Sequence, residues 1–327
     1  MSSETPSCKV VLAKNIANGL LQEVHEGLKT LTKKPHLVGF LANSDPAARM
    51  YADWTEKTCH ENGFRYTRRD VDKEEIEEAI LSANADDGID GIIVYYPIFN
   101  NRQDQYLQQI VDVSKDVEGL SHRYVFNMYQ NIRFLDENVP ADGSSSVGGT
   151  QKSILPCTPL AIVKILEYLR VYNTILPYGN RLHGHTICVV NRSEVVGRPL
   201  AALLANDGAC VYSVDITGVQ KFTRGEGLKK RRHEVEDLEG WTIKDAAPLC
   251  DVVITGVPGD SYKFDTSLLR YGAVCINFSS EKNFGPEVKE KASIYVPSIG
   301  KVTIVVLLRN LLRIVQNRAA GQAAGKV

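Results

Sequence analysis

Tyr51 and Thr55 in the stretch MYADWTEKT stand four residues apart. On an α-helix they share a face, whereas Lys57, six residues after Tyr51, lies about 120° around the axis. The tyrosine offers a π-face for stacking and the threonine a hydroxyl donor, but that face carries no amine. Ser44-Asp45-Pro46 reads as a capped helix start and Asn62-Gly63 as its end. Cys157, before Thr158-Pro159, is either a functional thiol or a small buried residue opening a helix. Taken singly, Tyr51 reads equally as a half-buried core ring with a wet hydroxyl.

A second constellation lies in TICVVNRSEVVGRPLAALLANDGACVYSVD, Thr186 to Asp215. An apolar strand runs into a polar turn, Asn191 to Val196, and the turn opens a helix at Gly197. A helix N-terminus following a strand presents backbone N–H groups and a positive dipole end to a diphosphate. The three-glycine fingerprint G-x-G-x-x-G is absent. Asp215, 24 residues after Asn191, ends the next strand, where a carboxylate hydrogen-bonds the ribose hydroxyls of NAD and repels the 2′-phosphate of NADP. The alternative is an aspartate that caps the following turn. Gly256, Pro258 and Gly259 follow another strand, where flat backbone passes beneath a nicotinamide ribose or the glycines simply form a turn.

The elements that must position these groups alternate along the chain. A helix near 14–32, HLVGFLA, the Tyr51 helix, FRYTRRD, a helix near 73–86 and GIIVYYP form parallel βαβ units. A loop-rich stretch, Val113 to Lys152, ends in PADGSSSVGGTQKS, a candidate hinge. After it come HTICVV, ACVYSVD, CDVVITG, AVCINF and SIYVP, five strands of a doubly wound, Rossmann-like parallel sheet. VTIVVLLRNLLRIVQNR is long enough for a terminal helix returning to the first domain, and AAGQAAGKV reads as a disordered or added tail. The expectation is two α/β domains, 1–155 completed by 304–327, and 156–303.

With 327 residues, 24% charged, 43% hydrophobic and a net charge of −1, the composition is that of a soluble globular protein and selects no nucleic-acid partner. Between Thr217 and Asp245, seven Lys and Arg nearly cancel six Asp and Glu, so KKRRHEVEDLE reads as a solvated loop or hairpin. Seven scattered cysteines without C-x-x-C spacing indicate neither a disulfide framework nor a zinc site, and a reducing compartment fits. No targeting segment or apolar run long enough to cross a membrane is evident, so the expected address is the cytoplasm.

Taken together, Ser44 and Tyr51, GIIVYYP (91–97), KDVEGL (115–120), PCTP (156–159), NRSEVVGRP (191–199) and CDVVITGVPG (250–259) resemble the methylenetetrahydrofolate dehydrogenases, which are often bifunctional with a cyclohydrolase. The resemblance spans roughly residues 38–315. It implies NAD bound by Asn191, Arg192, Ser193, Val196, Gly197, Asp215, Ile216, Gly256, Val257, Pro258, Asn277 and Ser279. It also implies a tetrahydrofolate derivative bound by Tyr51, Tyr95, Glu118, Pro297 and Gly300, with Tyr51, Thr55 and Cys157 at the chemistry. No metal is implied, and a homodimer is.

The departures from the family pattern sort by reaction. Thr55 stands where bifunctional members carry lysine, Tyr95 where they carry glutamine, and Glu118 where they carry aspartate, while the folate loop is shortened to VPSIGKVT (296–303). Oxidising a methylene carbon between two nitrogens requires positioning and a hydride acceptor, because the nitrogen lone pairs stabilise the cation formed. Hydrolysing the methenyl product requires an activated water and a proton-transfer group. The expectation is therefore a dehydrogenase without cyclohydrolase.

Overall fold

A computed structural model describes residues 8–135 and 151–323 of the chain. Most of the expected hinge tract therefore lies outside the described residues. The chain opens with β1 (Lys9–Val10) and α1 (Ala13–Leu28), followed by β2 (His36–Leu41), α2 (Pro46–Glu61), β3 (Arg65–Asp70), α3 (Ile76–Ala85), β4 (Gly91–Val94), α4 (Arg102–Ile110) and α5 (His122–Tyr129). Next come α6 (Cys157–Tyr168), β5 (Thr186–Val190), α7 (Gly197–Asn206), β6 (Cys210–Asp215), β7 (Gly218–Thr223), β8 (Glu234–Leu238) and α8 (Ile243–Ala246). The last elements are β9 (Val252–Thr255), β10 (Val274–Asn277), α9 (Val288–Lys291), β11 (Ile294–Val296) and α10 (Gly300–Ala323).

One unit comprises the described residues of Asn18–Asn127, Ile132–Cys157 and Thr303–Val327. Its parallel sheet has the order β3-β2-β4. Leu37, Val38, Phe40 and Leu41 of β2 are buried, as expected of a central parallel strand. α2 begins at Asp45, whose carboxylate accepts the Ala47 N–H at 3.0 Å, with Pro46 at the first helical position. Ala48, Ala52, Thr55 and Cys59 form its buried face, at the spacing of a helical repeat. Gly39 of β2 has no side chain for a reason: a Cβ there would run into the Tyr66 hydroxyl and lie 3.0 Å from the Tyr95 ring. Lys115 closes the C-terminal end of α3, donating to the carbonyls of Ala83, Asn84 and Asp86 at 2.7–2.9 Å, where the helix dipole favours a cation. α10 threads the same unit from Thr303 onward, with Val305, Val306, Leu308 and Leu311 buried.

The other unit comprises the described residues up to Ala17, Met128–Asn131 and Thr158–Val302. Its eight-stranded sheet has the order β1-β11-β10-β9-β5-β6-β7-β8, parallel except for the antiparallel β6-β7-β8 edge. The strand order reverses between β5 and β9, the switch point at which open α/β sheets bind ligands.

The α/β class and the dominantly parallel second sheet agree with the sequence reading, and three details correct it. The sheet has eight strands rather than five: β1 is too short to carry an apolar pattern, and β7 and β8 arise from the 217–245 insertion, a hairpin. The stretch read as loop from Val113 contains α5. AAGQAAGKV is not wholly a loose tail, because α10 continues to Ala323; its last four residues lie outside the described range.

Candidate active site

In the first unit, Tyr51 is half-buried and meets the Tyr95 ring edge-on, with centroids 6.1 Å apart and planes at 76°. Thr55 is fully buried and its hydroxyl donates to the Tyr51 carbonyl at 2.8 Å. Lys57 is exposed and faces Glu61 at 3.8 Å, as its helix phase requires. The Tyr95 hydroxyl pairs with that of Tyr66 at 2.9 Å, and both are buried. Burial holds the Tyr51, Tyr66 and Tyr95 phenols above their ordinary pKa, so this wall of the site is neutral throughout the physiological range.

Asp116 is buried and accepts the Gly119 and Ser121 N–H groups at 2.8 Å, which folds the chain back tightly. Two residues on, Glu118 accepts the Val94 N–H at 3.1 Å. Burial, followed by the negative charge of Asp116, pushes the Glu118 carboxyl up to about 8. Cys157 opens α6, its N–H donating to Glu118 O and its thiol to Val117 O, each at 3.1 Å. Burial and the fields of Glu118 and Asp116 hold that thiol well above its ordinary value, so it is not a ready nucleophile.

In the second unit, the β5–α7 turn is built without the three-glycine motif. Asn191 takes φ 93, a left-handed conformation that asparagine tolerates better than most residues. Its Nδ2 donates to Gly256 O at 2.6 Å and its Oδ1 accepts the Ser193 N–H at 2.8 Å, joining the ends of β5 and β9 across the switch point. Gly197 is obligatory: a Cβ would overlap Asn191 O and lie 2.7 Å from Asn191 C. A Cβ at Gly256 would instead run into a side chain, the Phe278 ring. Asp215 Oδ2 accepts the Arg192 N–H at 2.6 Å. The Arg192 guanidinium is held by Ser213 O and Gly218 O at 2.7 Å, by Ser213 Oγ at 3.1 Å and by Thr217 Oγ1 at 3.2 Å.

The first turn of α7 corrects the picture of an open row of donors. Ser193 Oγ accepts the Val196 and Gly197 N–H groups at 3.3 Å and Ser193 O accepts from Arg198, leaving the amides of Glu194 and Val195 without a hydrogen bond among the described residues. Ile216 is fully exposed beside Asp215. Val257 N–H donates to Asn283 Oδ1 at 2.8 Å, and Val257 O accepts from Ser279 Oγ and Asn283 Nδ2 at 2.9 Å. Pro258 is exposed beyond that loop. Asn277 Nδ2 reaches Pro297 O at 3.1 Å, and Gly300 begins α10; Pro297 and Gly300 thus belong to this unit rather than to that of Tyr51. The donor set suits a dinucleotide: two amides in the turn that precedes α7 for phosphate, a carboxylate for ribose hydroxyls and an exposed apolar side chain beside it.

Residues 11–118 match the model of the tetrahydrofolate dehydrogenase/cyclohydrolase catalytic domain, and residues 156–225 that of its NAD(P)-binding domain. The chain is 59% identical to methylenetetrahydrofolate dehydrogenase (NAD+) of Schizosaccharomyces pombe, over 96% of this chain and 95% of the relative. It belongs to the tetrahydrofolate dehydrogenase/cyclohydrolase family. The solved NAD-dependent 5,10-methylenetetrahydrofolate dehydrogenase of Saccharomyces cerevisiae superposes with a TM-score of 0.89 at 54% identity, covering 97% of this chain and 99% of that one. The bifunctional FolD enzyme of Campylobacter jejuni shares the fold, with a TM-score of 0.71 at 21% identity over 94% of this chain and 99% of that one.

Within this family frame, sequence reasoning missed Tyr66, Asn283 and Asn310. Tyr66 is invisible because its partner Tyr95 lies 29 residues away, just past the end of β4. Asn310 carries a readable signal: an uncharged polar residue inside the apolar run VVLLRNLL, where burial demands hydrogen-bond partners.

Proposed function

We propose that the chain oxidises 5,10-methylenetetrahydrofolate to 5,10-methenyltetrahydrofolate with NAD in one-carbon metabolism, and that it does not hydrolyse the product. The single observation that carries the second half is Thr55. Its hydroxyl is engaged by Tyr51 O at 2.8 Å and Lys57 points away to solvent, so α2 brings no amine to the face that hydrolysis would use. The first half is supported by the names of the relatives and by a site suited to positioning.

When bound, nicotinamide supplies the hydride acceptor. Tyr51 stacks on the folate ring system, Glu118 accepts hydrogen bonds from its amide and amino groups, and the neutral wall of Tyr66, Tyr95 and Cys157 keeps competing charge away from the carbon that becomes cationic. Asp215 receives the adenosine ribose, and the Arg192 guanidinium is already tied to backbone carbonyls rather than turned to a 2′-phosphate, which favours NAD over NADP. The same reading makes the protein a cytoplasmic homodimer acting on a small molecule. All seven cysteines are free, and no helix among the described residues is long and apolar enough to cross a membrane.

Purified protein given methylenetetrahydrofolate should reduce NAD far faster than NADP and should hydrolyse added methenyltetrahydrofolate no faster than buffer does. Hydrolysis well above the spontaneous rate removes the monofunctional reading. Absence of turnover with either cofactor leaves a dinucleotide-binding protein without this chemistry.

A further inference from the structure

We propose that Asn310 is a positioning residue for the Glu118 carboxyl, an inference that rests on the folate role given to Glu118 above. Asn310 is 2% exposed on α10, on the helix face it shares with Thr303 and Asn317. Its Nδ2 donates to Val117 O at 2.9 Å and to Leu155 O at 3.0 Å, with Cys157 Sγ alongside at 3.4 Å. An amide nitrogen carries two hydrogens, so the two carbonyls use both. Those carbonyls belong to two different loops: Val117 immediately precedes Glu118, and Leu155 precedes the Pro156-Cys157 entry to α6.

The loops meet backbone to backbone. Gly119, at φ 73, would place a Cβ 2.7 Å from Leu155 C and 2.8 Å from Pro156 N. Cys157 adds two hydrogen bonds between the same loops, from its N–H to Glu118 O and from its thiol to Val117 O. Asn310 is therefore the point where one side chain from the C-terminal helix fixes the spacing of both loops. Without it, the Leu155 carbonyl loses its donor and the Val117 carbonyl keeps only the Cys157 thiol, so the loops separate and the Glu118 carboxyl moves relative to its anchor on Val94 N–H. Cys157 acts within this clamp as a neutral thiol rather than as a nucleophile.

The test compares Asn310→Leu, Asn310→Ser, Glu118→Ala and the Asn310/Glu118 double variants in steady-state kinetics, with melting temperature recorded for each. Asn310→Leu should raise the folate KM about tenfold while kcat at saturating folate and the NAD KM stay within about twofold, because ground-state positioning is lost and the chemistry is not. In the Glu118→Ala background the same substitution should change the folate KM by less than about twofold, because the two residues act as a unit. Asn310→Ser keeps one donor, should fall between, and provides the measurement if the leucine variant does not fold.

An unchanged folate KM in the Asn310 variants, a parallel loss of kcat and NAD affinity, or full additivity with Glu118→Ala overturns the assignment. Failure of both Asn310 variants to fold marks a purely structural residue and also overturns it. If Glu118→Ala itself leaves the folate KM unchanged, the folate role of Glu118 falls and the positioning with it. If Glu118→Ala raises the KM but Asn310 adds independently, only the positioning falls.

Discussion

The two candidate sites are built by opposite means. At the β5–α7 turn the groups offered to a ligand are backbone amides and one carboxylate, and the larger side chains brace the turn itself: Arg192 on Ser213 and Gly218, Asn191 on Gly256, Ser193 on the first turn of α7. Around Tyr51 the site is made of side chains carried on α2, just past β4 and on the Asp116–Gly119 turn, and the surroundings have moved their ionisation, above all that of Glu118 to about 8. A site made of backbone fails through steric clash and is insensitive to pH. A site made of buried side chains fails through lost hydrogen bonds and responds to pH.

Four substitutions test that contrast, in descending order of expected effect. Gly197→Ala forces a methyl into Asn191 O and should lower stability by about 3 kcal/mol or more and abolish NAD binding, read by thermal melting and cofactor titration. Glu118→Gln should cut kcat/KM for folate about tenfold to a hundredfold, the scale of hydrogen bonds to a charged group, and leave the NAD KM unchanged.

The Glu118 variant also carries a pH signature. The folded carboxyl, raised from an ordinary 4.5 to about 8, keeps its proton where the unfolded chain releases it. Its contribution to stability is full below about pH 4.5 and is lost as pH rises towards 8. Folate, by recruiting the ionised form as acceptor, should bind better as pH rises through that upper value. Glu118→Gln should flatten both profiles, and a wild-type folate KM that is level from pH 6 to 9 breaks the argument.

Asp215→Ser should narrow the NAD-to-NADP ratio of kcat/KM about tenfold, the weight of one lost ribose contact and one removed repulsion. Part of that loss comes from the turn, because Asp215 also holds the Arg192 N–H; an unchanged ratio removes Asp215 from cofactor choice. Tyr66→Phe removes one hydroxyl from the buried pair with Tyr95 and should lower stability by about 1 kcal/mol in denaturant unfolding, with dehydrogenase activity nearly unchanged.

The sequence makes the backbone-built site more legible than the other. Strand, polar turn, helix and terminal carboxylate are local, so the run from Thr186 to Asp215 reads as a unit, although the capping of the α7 amides by Ser193 does not, since it depends on a rotamer. The helix phase of Tyr51, Thr55 and Lys57 is equally local and predicts the exposed lysine that the structure contains. What escapes is contact between distant segments: Tyr66 with Tyr95, Asn310 with Val117 and Leu155, and Asn283 with Val257. The hairpin within 217–245 alternates too weakly to announce that it extends a sheet, and α5 follows a tight Asp116 turn whose hydrogen bonds no composition reveals.

Asn191 separates two jobs that a glycine fingerprint usually merges. Its backbone takes the left-handed bend at φ 93, while its side chain ties that bend to the neighbouring strand end. Asn191→Gly would keep the bend and cut the tie. A pattern of letters is thus not the turn itself: here a single asparagine makes the bend and fastens the end of β5 to the end of β9.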